Sequence, residues 1–274
     1  MILKTTDLFE CGRACLETGL PAEKVEQTLA AARRLRAGTC SLDTECAAVE
    51  VAEPGRPAAP LLVHHSGLPH RKLATREGRA AFIHALAHIE FNAINLAWDA
   101  VLRFRGLPDA YYHDWVTVAE EEAVHFSLLQ ARLNELGYQY GDFDAHDGLW
   151  EMATRTSDDV LVRLALVPRV LEARGLDVTP AMITRLQKTG DTATVVILEK
   201  IYADEIGHVE TGSRWFRHVC RERGLDPAAT FRDMLVNYNM DRVRSPVNEV
   251  ARKQAGFDDE EIAMLKAMTG EHKQ

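Results

Sequence analysis

No stretch of this sequence approaches the ~20 consecutive apolar residues of a membrane-spanning helix. The opening segment, MILKTTDLFECGRACL, has no basic stretch followed by a long apolar run, so no signal peptide is expected and the expected compartment is the cytoplasm. Cysteine is scarce. Cys11, Cys15, Cys40, Cys46 and Cys220 are odd in number and contain no Cys-x-x-Cys pair, which argues against a disulfide framework and for reduced thiols. Alternating β-branched runs closed by hairpin turns are missing, which leaves an all-α chain. An excess of positive charge is missing too. With 32 Lys and Arg against 41 Asp and Glu, the net charge is -9, a poor match for non-specific binding to nucleic acid or anionic membranes. No internal repeat or low-complexity tract is visible.

What remains is ordinary for a globular protein: 274 residues, 46% hydrophobic and 27% charged, enough for one large domain or a domain with appended segments. Residues 1–52 predict short helices, one capped at Thr6-Asp7 and one opened by Pro21 and closed at Gly38. Residues 53–74, rich in Pro and Gly, read as a linker. Residues 75–223 carry long helical patterns: one stopping at Gly106, one over 109–136, one from Ser157-Asp158 to Gly175, a short one from Pro180 to Gly190, and one from Asp191 to about Arg223. A loop of Gly, Asp and aromatics joins the second to the third. Residues 224–274 predict further helices, with Pro227 in a first turn and an acidic first turn in FDDEEIAMLKAM.

The apolar stripes of the long helices are interrupted in a telling way. Ile83, Leu86, Ala87, Ile94, Ala97 and Val101 share a face with Glu90. Trp115, Val118, Leu129, Leu133 and Leu136 share one with Glu122 and His125. Leu161, Leu164, Ala165 and Pro168 lead to Glu172, while Leu198, Ile201, Tyr202, Val209, Gly212 and Phe216 flank Glu205 and His208. A buried carboxylate costs several kcal/mol unless something offsets its charge. Four of them with two imidazoles suit a cage for two cations. Glu-x-x-His sets both side chains on adjacent turns of one face, so Glu122-Ala-Val-His125 and Glu205-Ile-Gly-His208 can each supply two ligands from one helix. Two such pairs plus two single glutamates form the donor set of ferritin-like di-iron and di-manganese bundles. The other acids, Glu120, Glu121, Glu199 and Glu210, are expected to face solvent. His84 and His88 lie to one side of the stripe, and with Tyr202 they are candidates to support the ligands from behind, His88 being the nearest to the site. His146 reads as a surface-loop residue, and Arg169 and Arg174 as partners for carboxylates.

The strings HALAHIEFNAINLAWDA, EEAVHF, YGDFDAHDGLWEMA, LVPRVLEARGLDVTP and GDTATVVILEKIYADEIGHV, with the tail SPVNEVARKQAGF, resemble an uncharacterised bacterial ferritin-like family, domain of unknown function 455, over residues 60 to 255. The resemblance implies a ferritin-like four-helix bundle with a long crossover between its second and third helices and extra helices at both ends. It places metal ligands at Glu90, Glu122, His125, Glu172, Glu205 and His208 and supplies no substrate. Two metal ions are expected, iron first, with manganese or a mixed pair as the variant. The function expected is a dioxygen-dependent oxidoreductase on a small organic substrate, fed by an electron donor. Iron handling as a ferroxidase and hydroxylation of tRNA are the alternatives, the acidic balance counting against nucleic acid. Beyond the metal ligands no catalytic residue is indicated, and assembly as a homodimer is left open.

Overall fold

The computed structural model describes residues 6–44, 47–69 and 71–270. Cys46 and the first five residues lie outside them. The described chain is helical, as its composition demands. The strand pairing found is one two-residue parallel pair, β1 (Thr6–Asp7) with β2 (Cys40–Ser41), and an isolated bridge between Leu62 and Ala145. No described helix is long and apolar enough to cross a membrane. The chain divides into two compact units, Met1–Thr154 and Arg155–Gln274.

In the first unit, α1 (Leu8–Glu17) starts where the Asp7 carboxylate accepts the Phe9 and Glu10 amides, and α2 (Pro21–Arg36) opens on its proline. The helices α3 (Arg76–Arg103) and α4 (Asp109–Glu135) follow, with α1 packed on α3 and α2 on α4. This cover changes the reading of α3. Its middle is not a stripe: every residue from Glu90 to Leu102 is buried, because α4 covers one side and the N-terminal helices the other. Two anchors set the fit. The ring of Trp98 would lie 2.7 Å from a Cβ at Gly12, and its indole N–H donates to Thr28 of α2 at 3.0 Å. Lys24, wholly buried, reaches back to the carbonyls of Cys15 and Leu16 at 2.7 and 3.0 Å, closing the C-terminal end of α1.

The loop after α4 contains the short helix α5 (Gly148–Arg155). It is laid on α3 rather than left as a free crossover. The Gly141 amide donates to His84 Nε2 at 2.9 Å, and His88 bonds to both Tyr140 and the His146 carbonyl.

The second unit corrects two of the helix boundaries. No break occurs at Gly175, and no new helix starts at Pro180. Instead α6 (Val160–Leu166), a π-helical turn π1 (Val167–Glu172) and α7 (Ala173–Gln187) run on without interruption. Pro168, with no N–H to give, lies inside the widened turn. Pro180 also leaves a carbonyl without its helical donor, that of Leu176, four residues back. Asn248 supplies the missing hydrogen through its amide at 3.1 Å. The helix therefore survives its proline because a distant segment repairs it.

This run packs on α8 (Thr192–Glu222), and Gly212 of α8 allows the contact: a Cβ there would lie 2.4 Å from Pro168 Cβ and Cγ. The helices α9 (Pro227–Asn237), α10 (Glu249–Gln254) and α11 (Asp259–Met268) complete the unit. Arg252 forks onto Asp177 at 2.9 and 2.7 Å, both side chains buried, and Arg174 donates to the carbonyls of Arg244, Ser245 and Pro246. Arg169 is fully buried against Glu261 at 2.5 Å, with Phe216, Phe231 and Phe257 rings around its guanidinium.

Candidate metal centre

In the first unit, among the described residues, the side chains that could hold a metal ion are Glu90, Glu122 and His125. Of the six ligands expected from the sequence, the other three, Glu172, Glu205 and His208, belong to the second unit.

Within the first unit the geometry is explicit. Glu90 comes from α3, and Glu122 and His125 come from consecutive turns of α4; these two helices pack along each other. His125 Nδ1 lies 3.2 Å from Glu90 Oε2 and 3.4 Å from Glu122 Oε2. Glu122 and His125 are wholly buried and Glu90 nearly so. Burial, then the neighbouring Glu122 carboxylate, holds the Glu90 carboxyl well above the ordinary carboxylate range. Burial alone would lower His125, but its hydrogen bonds to Glu122 and Glu90 outweigh that and push it up to about 11. Two buried carboxylates on one imidazole thus store negative charge that only protons or a cation can neutralise. Oxygen and imidazole donors in this proportion suit a hard or borderline divalent ion, so the residues fit a metal.

In the second unit, Glu205 Oε1 lies 3.6 Å from His208 Nδ1 across one turn of α8, with His208 buried. Glu172 ends π1, half-buried. A π turn re-aims the side chains after it, and such turns recur at functional sites.

The supporting residues sit as follows. His88 and His84 are buried, and burial lowers both to about 4, so each ring is neutral at physiological pH. His88 Nδ1 lies 2.8 Å from the Tyr140 hydroxyl, and its Nε2 lies 3.1 Å from the His146 carbonyl and 3.0 Å from the Asn92 amide nitrogen. His84 and His88 are thus fasteners for the loop on α3. Tyr202 accepts from the Asn248 amide at 3.0 Å. Glu120 is not a solvated acid: it is half-buried and forks onto Arg36 of α2, one branch at 2.7 Å, while Glu199 is exposed as expected. His146 is exposed.

Arg56 and Tyr140 escaped the sequence reading. With His88 and Phe91 they line a cavity of about 50 Å3. Periodicity has no purchase on a linker arginine or a loop tyrosine; only the quoted string YGDFDAHDGLWEMA carried Tyr140.

Residues 17–263 match the family described as "Protein of unknown function (DUF455)". The chain belongs to this family. The match begins inside α1 and ends inside α11, so the DUF455 unit takes in nearly all the helices described above and is wider than residues 60 to 255. The DUF455 chain is similar to an "Uncharacterized protein" of Haemophilus influenzae (strain ATCC 51907 / DSM 11121 / KW20 / Rd), 49% identical over 215 residues, which covers 75% of this chain and 74% of the relative. No solved structure matches it.

Proposed function

We propose that this protein is a ferritin-like di-metal carboxylate protein, with iron the favoured metal, acting as a dioxygen-dependent oxidoreductase on a small organic molecule. The observation that carries the reading is the buried set Glu90, Glu122 and His125, in which two carboxylates converge on one imidazole in the dry middle of the first unit. Glu205 and His208, with Glu172 at the end of the π turn, would supply the remaining donors on this reading. Glu205 and His208 share one face of the long helix α8, and a carboxylate with an imidazole one turn apart is the pair that such a bundle cage uses.

Bound metal ions of variable valence would supply the electrons for dioxygen reduction. The protein's own part can be read from its residues. Glu90 and Glu122 would hold the metal and offset its charge. His125 must give up its proton to bind, so loading and proton release go together. The apolar packing around them, Ala87, Ile94, Ala119, Phe126 and Leu129, keeps water from competing for those ligands.

The test is elemental analysis of the protein purified from its own host, joined to an oxygen-consumption assay. About two equivalents of iron, or of iron plus manganese, with oxygen uptake that stops on chelation, is the expected result. Zinc alone with no oxygen uptake would overturn the redox reading, and no metal at all would overturn the metal centre. A sizing column that returned a large cage would favour iron storage over turnover of an organic substrate.

A further inference from the structure

A second chemistry-bearing group lies at the start of the chain, separate from the metal ligands. The parallel pair sets Thr6 opposite Cys40 and Asp7 opposite Ser41, and Asp7 also caps α1. Strand pair and helix start are therefore locked together, and Cys11, one turn beyond Asp7, meets Cys40. The two thiols are neighbours, and both are half-buried and reduced. Arg34 of α2 sets a guanidinium nitrogen 3.9 Å from Cys11 Sγ. A surface cavity of about 270 Å3 opens onto Cys11, bounded also by Glu10, Gln27, Ala30 and Arg34.

These features divide the labour between the two sulfurs. Cys11 faces the cavity, where a small oxidant can reach it, and has the Arg34 guanidinium beside it. Cys40 does not line the cavity. Burial, then the adjacent Cys11, pushes its thiol up to about 12, so in the resting pair it is a thiol. Cys15, one turn from Cys11, is fully buried beside Thr28 and away from the cavity, whereas Cys40 is only half-buried.

We propose that Cys11 and Cys40 form a reversible thiol–disulfide pair oxidised by hydroperoxides, with Cys11 the sulfur that is attacked and Cys40 the resolving thiol. In the first step Cys11 sulfur bonds to the terminal oxygen of the hydroperoxide as the O–O bond breaks. The alcohol (water, for hydrogen peroxide) leaves with the Cys11 proton, and the sulfur becomes a sulfenic acid. In the second step Cys40 sulfur attacks Cys11 sulfur, the S–S bond forms, the S–O bond breaks, and the hydroxyl leaves as water with the Cys40 proton. Two thiols have lost two electrons and two protons, and the peroxide has gained them. A dithiol reductant reverses the change by exchange.

The experiment uses the full-length protein treated with a few equivalents of hydrogen peroxide, alkylated, and mapped by mass spectrometry. The expected product is a peptide pair joined through Cys11 and Cys40, dispersed by dithiothreitol. Cys40→Ser should stop at the sulfenic acid, captured on Cys11 by dimedone, and Cys11→Ser should give neither product. Arg34→Gln should slow peroxide consumption at Cys11 by about threefold or more. Both thiols surviving peroxide unmodified would overturn the proposal, as would cross-links that use Cys15, Cys46 or Cys220 instead. A Cys40→Ser protein that takes no dimedone while keeping its helical circular dichroism would also sink it.

Discussion

At the scale of single residues, the metal centre is a contest between protons and cations. His125 is held protonated up to about 11 by Glu122 and Glu90, so a metal ion must displace that proton at neutral pH. Each displaced proton makes affinity climb about tenfold per pH unit. Titration with a divalent probe such as cobalt should therefore show tighter binding at pH 8 than at pH 6. A flat profile would mean that His125 is no ligand. Glu122→Ala removes a wholly buried carboxylate from the same set, and its bound metal, counted by elemental analysis, should fall to a small fraction of the wild-type content. Lys24 titrates independently. Burial lowers it to about 7. Its folded value thus lies below its unfolded one, and across the window from 7 to its ordinary range the unfolded chain holds the extra proton. That lysine's contribution to stability grows as pH rises, by up to about 1.4 kcal/mol per unit, and is level below pH 7. Lys24→Met abolishes the linkage, so the stability of the wild type minus that of the variant should increase between pH 7 and 9 in urea denaturation.

Helices are where sequence and structure part company, and the reasons are physical. The long helices, their N-caps and their acidic interruptions are local features, and Thr75, Asp191, Asp226 and Asp258 cap helices through short-range bonds that a sequence displays. Glu90, Glu122 and His125 are legible for the same reason, since register alone points them inward. Two kinds of information are absent from any window of sequence. One is what covers a helix: the loop after α4 buries the face of α3 that carries His84 and His88, and no stripe in α3 announces them. The other is repair at a distance. Pro180 should end a helix, and it does not, because Asn248 donates to the carbonyl it orphans. Gly212 shows a third case, a glycine set by its neighbour rather than by its backbone. Gly212→Ala would drive a methyl into the rigid Pro168 ring at 2.4 Å. Overpacking of this kind costs about 1–3 kcal/mol, to be read as a lowered thermal midpoint. Gly175→Ala, with nothing within 4 Å, should instead stabilise α7 by about 0.5–1 kcal/mol. If the two variants behaved alike, the close approach of α8 to π1 would be wrong.

At the scale of the whole molecule, the C-terminal helices are structural members of the second unit rather than appendages. Arg169 is wholly buried, and its charge is answered by Glu261 from α11, which Arg217 also contacts at 3.0 Å. Phe257, from the turn before α11, closes the ring of aromatics around the guanidinium. A buried pair does little for net stability when compared with well-packed apolar residues, because both charges must be desolvated. Breaking it is another matter. Glu261→Ala leaves Arg169 buried without its counter-ion, which costs about 3–5 kcal/mol, much of the ~5–15 kcal/mol stability of an ordinary domain. The paired replacement Arg169→Met with Glu261→Leu removes both charges and keeps the volume, so it should recover most of that loss. Denaturation midpoints of the two proteins decide the matter. A double variant no more stable than Glu261→Ala would show that the aromatic ring around the guanidinium, and not the neutralised charge, is what ties α11 to this unit.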